Sequence, residues 1–265
     1  MSNLMRAFLQ TFLLHPSMPE SEVMAHLSRL ALAKNPDKPA SPSDLDPIIA
    51  AANTTLADLE LEIVVTRDQR TGERIFTYAN LHSTPSTRPA TALPATDVAL
   101  FRGIIDFIFT NAEKMGRNEF WITPREATND AYPRDPQNRV VVSRVQVLEK
   151  LNTLVAYGWL VKSDGGRDSD DDGGEERFGL SNRALAELAP FIKDRIASTG
   201  APEASRPLCA ACHEIFTLGV VCTGCGIRVH TSCVARYQSI AGGGDAGLCG
   251  NCQVVPIADF AEVGF

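Results

Sequence analysis

Upstream of Cys209 the apolar residues recur at helical spacing in two successive blocks, and each block closes on short alternating stretches. Leu4, Phe8 and Phe12, flanked by Met5, Leu9 and Leu13, place one apolar face on a helix over 3–14 that Pro16 ends. Ser17 and Glu20 have capping-box spacing with Pro19 just inside the turn, which predicts a second helix through Leu32 with Val23, Met24, Leu27 and Leu30 inward. After a Pro-rich turn, Asp44 to Leu59 reads as a third helix. Leu61–Thr66 and Arg74–Tyr78 then alternate as two strands joined by a turn at Gly72. Three helices followed by a hairpin is a winged-helix order, predicted here over residues 1–82.

Residues 83–96 are a linker by composition, rich in Ser, Thr and Pro. The pattern then repeats over 97–199. Asp97 to Ala112 carries Phe101, Ile104, Ile105 and Ile108 on one side, and Thr123-Pro124-Arg125-Glu126 is another capping box. Ser143 to Tyr157 predicts a helix with Val145, Leu148, Leu151 and Leu154 or Val155 inward, stopped by Gly158. Trp159–Lys162 and Arg177–Leu180 are the hairpin strands, and Asn182 to Ala197 a closing helix. The wing between the strands, 163–176, holds seven acidic residues and four glycines and reads as a solvated loop. Asp168, Asp170 and Asp172 alternate as in a calcium loop, but the EF-hand frame of about twelve residues with its terminal Glu is missing.

Charge narrows the function. The 265 residues carry a formal net charge of −7, which argues against a dedicated nucleic-acid binder. No Lys or Arg lies between Pro39 and Thr66, and the third helix of the second block has only Arg144 and Lys150, beside Glu149. Neither block is therefore expected to read DNA by itself, and protein docking suits them better. No phosphate-binding Gly-rich loop and no nucleophile paired with a base stands before residue 209, and His15, His26 and His82 read as surface or packing residues. No apolar run approaches the roughly eighteen residues of a membrane span.

The remaining chemistry is concentrated after a second linker, 200–207. All seven cysteines fall between Cys209 and Cys252. They form four knuckles: Cys209-x2-Cys212, Cys222-x2-Cys225, His230-x2-Cys233 and Cys249-x2-Cys252. An x2 spacing folds the backbone over one ion and delivers both donors at about 2.3 Å, so eight donors make two closed tetrahedral zinc sites of structural type. A disulfide framework would strand one of the seven cysteines, and the N-terminus lacks the pattern of a secretion signal. Reduced cysteines then place the chain in the cytosol or nucleus. Seven thiolates against two dications take the formal charge from −7 to −10. His213 is a ninth candidate beside Cys212, more simply a surface residue. The predicted zinc domain covers 208–255 and has few large apolar residues, so metal supplies most of its folding free energy, roughly 10–16 kcal/mol per site. Spacing leaves two pairings open, alternating (cross-brace) or sequential. The tail 256–265 is apolar and packs either on the module or on a partner.

Two winged helices followed by four Cys, one His and three Cys resemble the first non-SMC element of the SMC five/six complex. The marks are Tyr157-Gly158-Trp159-Leu160, the run Leu180-Ser181-Asn182-Arg183-Ala184-Leu185-Ala186-Glu187-Leu188, and Cys222-x2-Cys225-x4-His230-x2-Cys233. The resemblance implies a mainly α fold with small β-sheets, ending in a two-zinc variant RING. Its cross-brace pairing puts Cys209, Cys212, His230 and Cys233 on one ion and Cys222, Cys225, Cys249 and Cys252 on the other. It also implies a nuclear DNA-repair subunit whose winged helices bind a MAGE-type partner, the pair joining a kleisin subunit, with DNA met only through the complex. The implied activity is that of a ubiquitin ligase holding a charged conjugating enzyme. Where many active RINGs carry a bulky aliphatic residue and a basic residue for those contacts, this sequence has Ala211 and Gln253. Gly247 stands where a PHD finger has Trp. The alternative is a non-catalytic adaptor whose zinc domain braces the MAGE/kleisin subcomplex.

Overall fold

The computed structural model describes residues 3–80, 93–133, 142–163, 176–202, 205–240 and 247–264. Most of the first predicted linker and nearly all of the acidic wing, with its calcium-like alternation, lie outside the described residues. The fold is mainly helical with three small sheets among the described residues. It forms two units, one of residues 1–68 and 73–88, the other of Gln69–Gly72 together with residues 89–265.

The first unit runs α1 (Asn3–Leu14), β1 (Ser17–Pro19), α2 (Glu20–Lys34), α3 (Pro42–Leu56), β2 (Glu62–Arg67) and β3 (Arg74–Ala79). Phe8 and Phe12 of α1 meet Val23 and Leu27 of α2 and Leu45, Ile49 and Ala52 of α3 in one core. The sheet order β1-β3-β2 is antiparallel throughout. The expected capping box at Ser17 is replaced by a strand: Ser17 pairs with Thr77 and Met18 with Phe76, burying Met18. Pro19 becomes the helix N-cap, with no side-chain cap bond. Glu20 does not reach back because its carboxylate is taken by Arg74 through two bonds of 2.8 and 2.6 Å. That hydrogen-bonded guanidinium holds the Glu20 carboxyl below the ordinary glutamate range. The third helix starts earlier than expected, at Pro42, where Ser41 and Asp44 form the capping box, and its last turn, Ala57–Leu59, tightens to a 3-10 turn.

The second unit repeats the order with α4 (Ala95–Thr110), α5 (Ala112–Arg117), β4 (Trp121–Ile122), α6 (Pro124–Glu126), α7 (Arg144–Ala156), β5 (Leu160–Ser163), β6 (Arg177–Leu180), α8 (Asn182–Glu187) and α9 (Ala189–Ser198). Its sheet order is β4-β6-β5. Phe101, Ile104, Ile105 and Ile108 of α4 are all buried, as the pattern predicts. Two local caps also form: Thr123 with Glu126, and Ser143 with Gln146. The inward stripe of α7 is offset from the expected one. Val147, Leu151 and Leu154 are buried at i, i+4, i+7, whereas Val145 is 66% exposed. The single closing helix predicted over 182–197 is two helices meeting at Leu188, because Pro190 stands in the first turn of the second and cannot continue the first.

Gly103 sets how closely α4 lies on the π turn Ala127–Ala131. A Cβ there would overlap the carbonyl oxygen of Ala131. Backbone cannot yield as a flexible side chain would, so Gly103→Ala is expected to cost about 1–3 kcal/mol by overpacking. Urea denaturation checks this, and a loss under a few tenths of a kcal/mol would contradict the close approach.

The rest of the second unit is β7 (Gly219–Val221), β8 (Arg228–Val229), α10 (Val234–Ile240) and β9 (Ala261–Val263), in a sheet of order β8-β7-β9. The apolar tail thus returns to its own chain, with Gly219 opposite Val263 and Val221 opposite Ala261. Ile215, Phe216 and Val221 join the core built by α4, α7 and the winged-helix sheet.

Candidate metal centre

Three of the four knuckles share one backbone device. In each, the first cysteine's carbonyl accepts the N–H of the residue four positions on: His213 to Cys209 at 2.8 Å, Gly226 to Cys222 at 2.9 Å, Gln253 to Cys249 at 2.9 Å. Those three residues all adopt left-handed backbone, with φ of 60°, 74° and 55°. The return strand closes each loop, Cys209 N–H donating to Glu214, Cys222 to Ile227 and Cys249 to Val255. His213 and Gln253 are therefore the turn residues that glycine supplies in the second knuckle. The third knuckle, His230-x2-Cys233, is built differently: Cys233 N–H donates to His230 O at 2.8 Å in the 3-10 turn Thr231–Cys233, which feeds α10.

The knuckles interleave. Cys209, Cys212, His230 and Cys233 gather in one cluster and Cys222, Cys225, Cys249 and Cys252 in the other, with each cluster's donor atoms within 4.8 Å of one another. These are the alternating sets that the family resemblance implied, and the sequential pairing left open by spacing is not the one the side chains adopt. In the second cluster the Cys222–Cys252 and Cys225–Cys249 sulfurs are 3.7 Å apart. A tetrahedron with zinc–sulfur bonds of about 2.3 Å has edges of about 3.8 Å, so this donor set fits zinc. In the first, His230 Nδ1 lies 3.4 Å from Cys212 Sγ and 3.8 Å from Cys233 Sγ. An edge of about 3.6 Å is expected for mixed nitrogen and sulfur bonds. Two clusters of four donors each accord with two Zn2+ ions.

The surroundings orient the donors. His230 is 4% exposed, and its Nε2 lies 3.1 Å from Ile215 O. Donation to that carbonyl leaves Nδ1 as the free donor facing the cysteines. The imidazole stacks on Phe216, with centroids 5.7 Å apart and planes 9° from parallel. Tyr237 Oη sits 3.6 Å from Cys249 Sγ and accepts the N–H of Gly250 at 3.1 Å. Burial first, then the Cys249 sulfur, pushes the Tyr237 hydroxyl up. The N–H groups of Val255 and Val254 hold the Cys252 thiol down to about 6.

Arg228, between the second and third knuckles, is 6% exposed. Its guanidinium donates to Asn118 Oδ1 at 2.8 Å, Ser205 O at 2.9 Å and Met115 O at 3.1 Å. It thereby ties β8 to the C-terminal end of α5. Arg228, Phe216 and Tyr237 pack beside the clusters without spacing or pairing that would mark them in the sequence. Ala211 is buried at 3% exposure. Gln253 is exposed, and its Nε2 donates back to Gly250 O at 3.1 Å. His213 is exposed and outside both clusters.

Two helix-and-hairpin blocks followed by interleaved Cys/His tetrads define a winged-helix protein with a RING-like C-terminal domain. The family model described as "Nse1 non-SMC component of SMC5-6 complex" matches residues 5–188, and a RING-like domain model matches residues 209–253. The non-structural maintenance of chromosomes element 1 homolog of Pongo abelii is 27% identical over 239 residues, covering 89% of this chain and 79% of the relative. The element 1 protein of Schizosaccharomyces pombe is 24% identical over 232 residues, covering 83% and 80%. A chain of a solved structure titled "Nse1-Nse3-Nse4 complex" superposes with a TM-score of 0.70 at 20% identity, over 96% of each chain, and has the same fold. The chain belongs to the Nse1 family of non-SMC components of the SMC5-6 complex.

Proposed function

We propose that this chain is the RING-like subunit of an SMC5-6-type complex and acts there as a ubiquitin ligase in DNA repair and chromosome maintenance, in the nucleus. The observation that carries this reading is the interleaving of two donor tetrads at zinc-like spacing behind a match to the family. Cys209, Cys212, His230 and Cys233 would hold one Zn2+, and Cys222, Cys225, Cys249 and Cys252 the other. The ions supply fold, since every donor position belongs to protein and none is left for water or substrate. The MAGE-type and kleisin partners correspond to Nse3 and Nse4 of the neighbouring complex. Its own charge of −7 supports DNA contact only through that assembly.

A RING forms no bond to ubiquitin. It holds the charged conjugating enzyme so that the thioester sits ready for attack by an amine, and the acceleration comes from orientation. A second reading, the non-catalytic adaptor, is favoured by Ala211 and Gln253. The first is buried and the second folds back on Gly250 O, so neither presents the large aliphatic or basic group that such contacts use in many RINGs.

Ubiquitin discharge from a panel of charged conjugating enzymes separates the two, using the chain co-purified with its MAGE partner and checked for two zinc ions. Discharge by the intact complex, abolished in Cys222→Ser while the partners stay bound, is the result expected of a ligase. A fully zinc-loaded complex silent across the panel leaves the adaptor.

A further inference from the structure

Gln69 belongs to the second unit although it lies 140 residues before the first zinc-type knuckle. Its side chain is 9% exposed and makes four hydrogen bonds to one short segment. Nε2 donates to Ile215 O at 3.1 Å. Oε1 accepts the N–H groups of Thr217 at 3.0 Å and Leu218 at 2.9 Å, and the Thr217 hydroxyl at 3.3 Å. The Gln69 carbonyl accepts the N–H of Ser232 at 3.1 Å. Ile215 O is also the acceptor 3.1 Å from His230 Nε2. A carbonyl oxygen has two lone pairs, so it can take both donors at once.

We propose that Gln69 is an outer-shell positioning residue for the metal site of Cys209, Cys212, His230 and Cys233, an inference that rests on reading that tetrad as a zinc site. An imidazole donates through Nδ1 when its Nε2–H is fixed by an acceptor, and such acceptors set both tautomer and ring plane. Here the acceptor is a backbone carbonyl at an isolated bridge between Ile215 and Leu208, outside the named strands. The bridge holds the segment on the Leu208 side, and the Gln69 amide holds its other side, gripping Ile215 O and the N–H groups of Thr217 and Leu218. The Ser232 contact adds a hold on the turn carrying His230 and Cys233. Tyr237 plays the comparable part beside Cys249, which makes the second tetrad an internal control untouched by Gln69.

The test follows zinc release from the full-length chain under excess chelator, for wild type, Gln69→Ala and Gln69→Glu. Fewer than two zinc ions in the wild type would sink the zinc reading itself before any variant is compared. With two ions present, Gln69→Ala is expected to release one of them about 10–100-fold faster and the other at the wild-type rate. In cobalt-substituted protein the altered ligand-field bands should be those of the three-sulfur, one-nitrogen site, with the four-sulfur spectrum unchanged. Gln69→Glu keeps the Oε1 acceptor but sets a carboxylate oxygen against Ile215 O in place of the donor, so its acceleration should be at least as large and confined to the same site. Should the alanine variant not fold, the glutamate variant decides by the same two readings. Wild-type release of both ions, or equal acceleration of both, overturns the proposal, the latter making Gln69 a general support of the module.

Discussion

Cys222→Ser is expected to unfold the RING-like module and reduce bound zinc to one ion or fewer per chain. The Cys222–Cys252 edge of 3.7 Å belongs to a tetrad that supplies all its own donors, so serine leaves three where four are required. The buried apolar cluster of the module includes three of the ligand cysteines themselves, with Ala211, Val229, Tyr237, Ile257 and Phe260. Metal binding of roughly 10–16 kcal/mol per site is as large as the whole stability of an ordinary domain, about 5–15 kcal/mol. No repacking of so small a cluster offsets that loss.

The damage should reach beyond the module. Ile215, Phe216 and Val221 lie in the core of the second winged helix, and Arg228 closes the end of α5 through Met115 O and Asn118. Freed from the sheet, Arg228 no longer occupies those acceptors. Hydrogen exchange should therefore rise first across 205–264 and next around 111–122, with α1 to α3 unaffected. Elemental analysis and exchange on one sample check both parts. A variant that keeps two zinc ions and wild-type protection would overturn the ligand assignment.

What the sequence made legible is what local chemistry determines. Helix faces such as Phe101, Ile104, Ile105 and Ile108 follow from period alone, and Thr123–Glu126 caps as its spacing predicts. The knuckles are equally local, because an x2 pair can face one ion whatever surrounds it. The third strand of each winged-helix sheet escaped notice: β1 has three residues and β4 two, too short to show alternation. At Ser17 the local cap pattern lost to a tertiary pairing, with Arg74 taking the Glu20 carboxylate across 54 residues. The roles of His213 and Gln253 were hidden because left-handed backbone at a non-glycine residue has no dependable sequence mark. Arg228 and Gln69 act on acceptors 110 and 146 residues away, and separation of that kind leaves no trace in one sequence.

Phe216→Ala should cost about 3–5 kcal/mol, the range for removing a fully buried aromatic side chain. Phe216 has no exposed surface. One face stacks on His230 at 5.7 Å, and it meets Phe120 edge-on at 5.6 Å. It thus belongs both to the winged-helix core and to the wall behind a metal donor. In calorimetry of the zinc-loaded chain the transition of the second unit should fall by roughly 6–20 °C, at about 2–4 °C per kcal/mol for a unit of this size. Phe216→Leu restores much of the volume but not the flat face against the imidazole. It should recover most of the melting temperature while leaving zinc release from the His230 site faster than wild type. If leucine restored both properties, the stack would contribute packing alone. If alanine cost under about 1 kcal/mol, Phe216 would not be the shared element of the two cores.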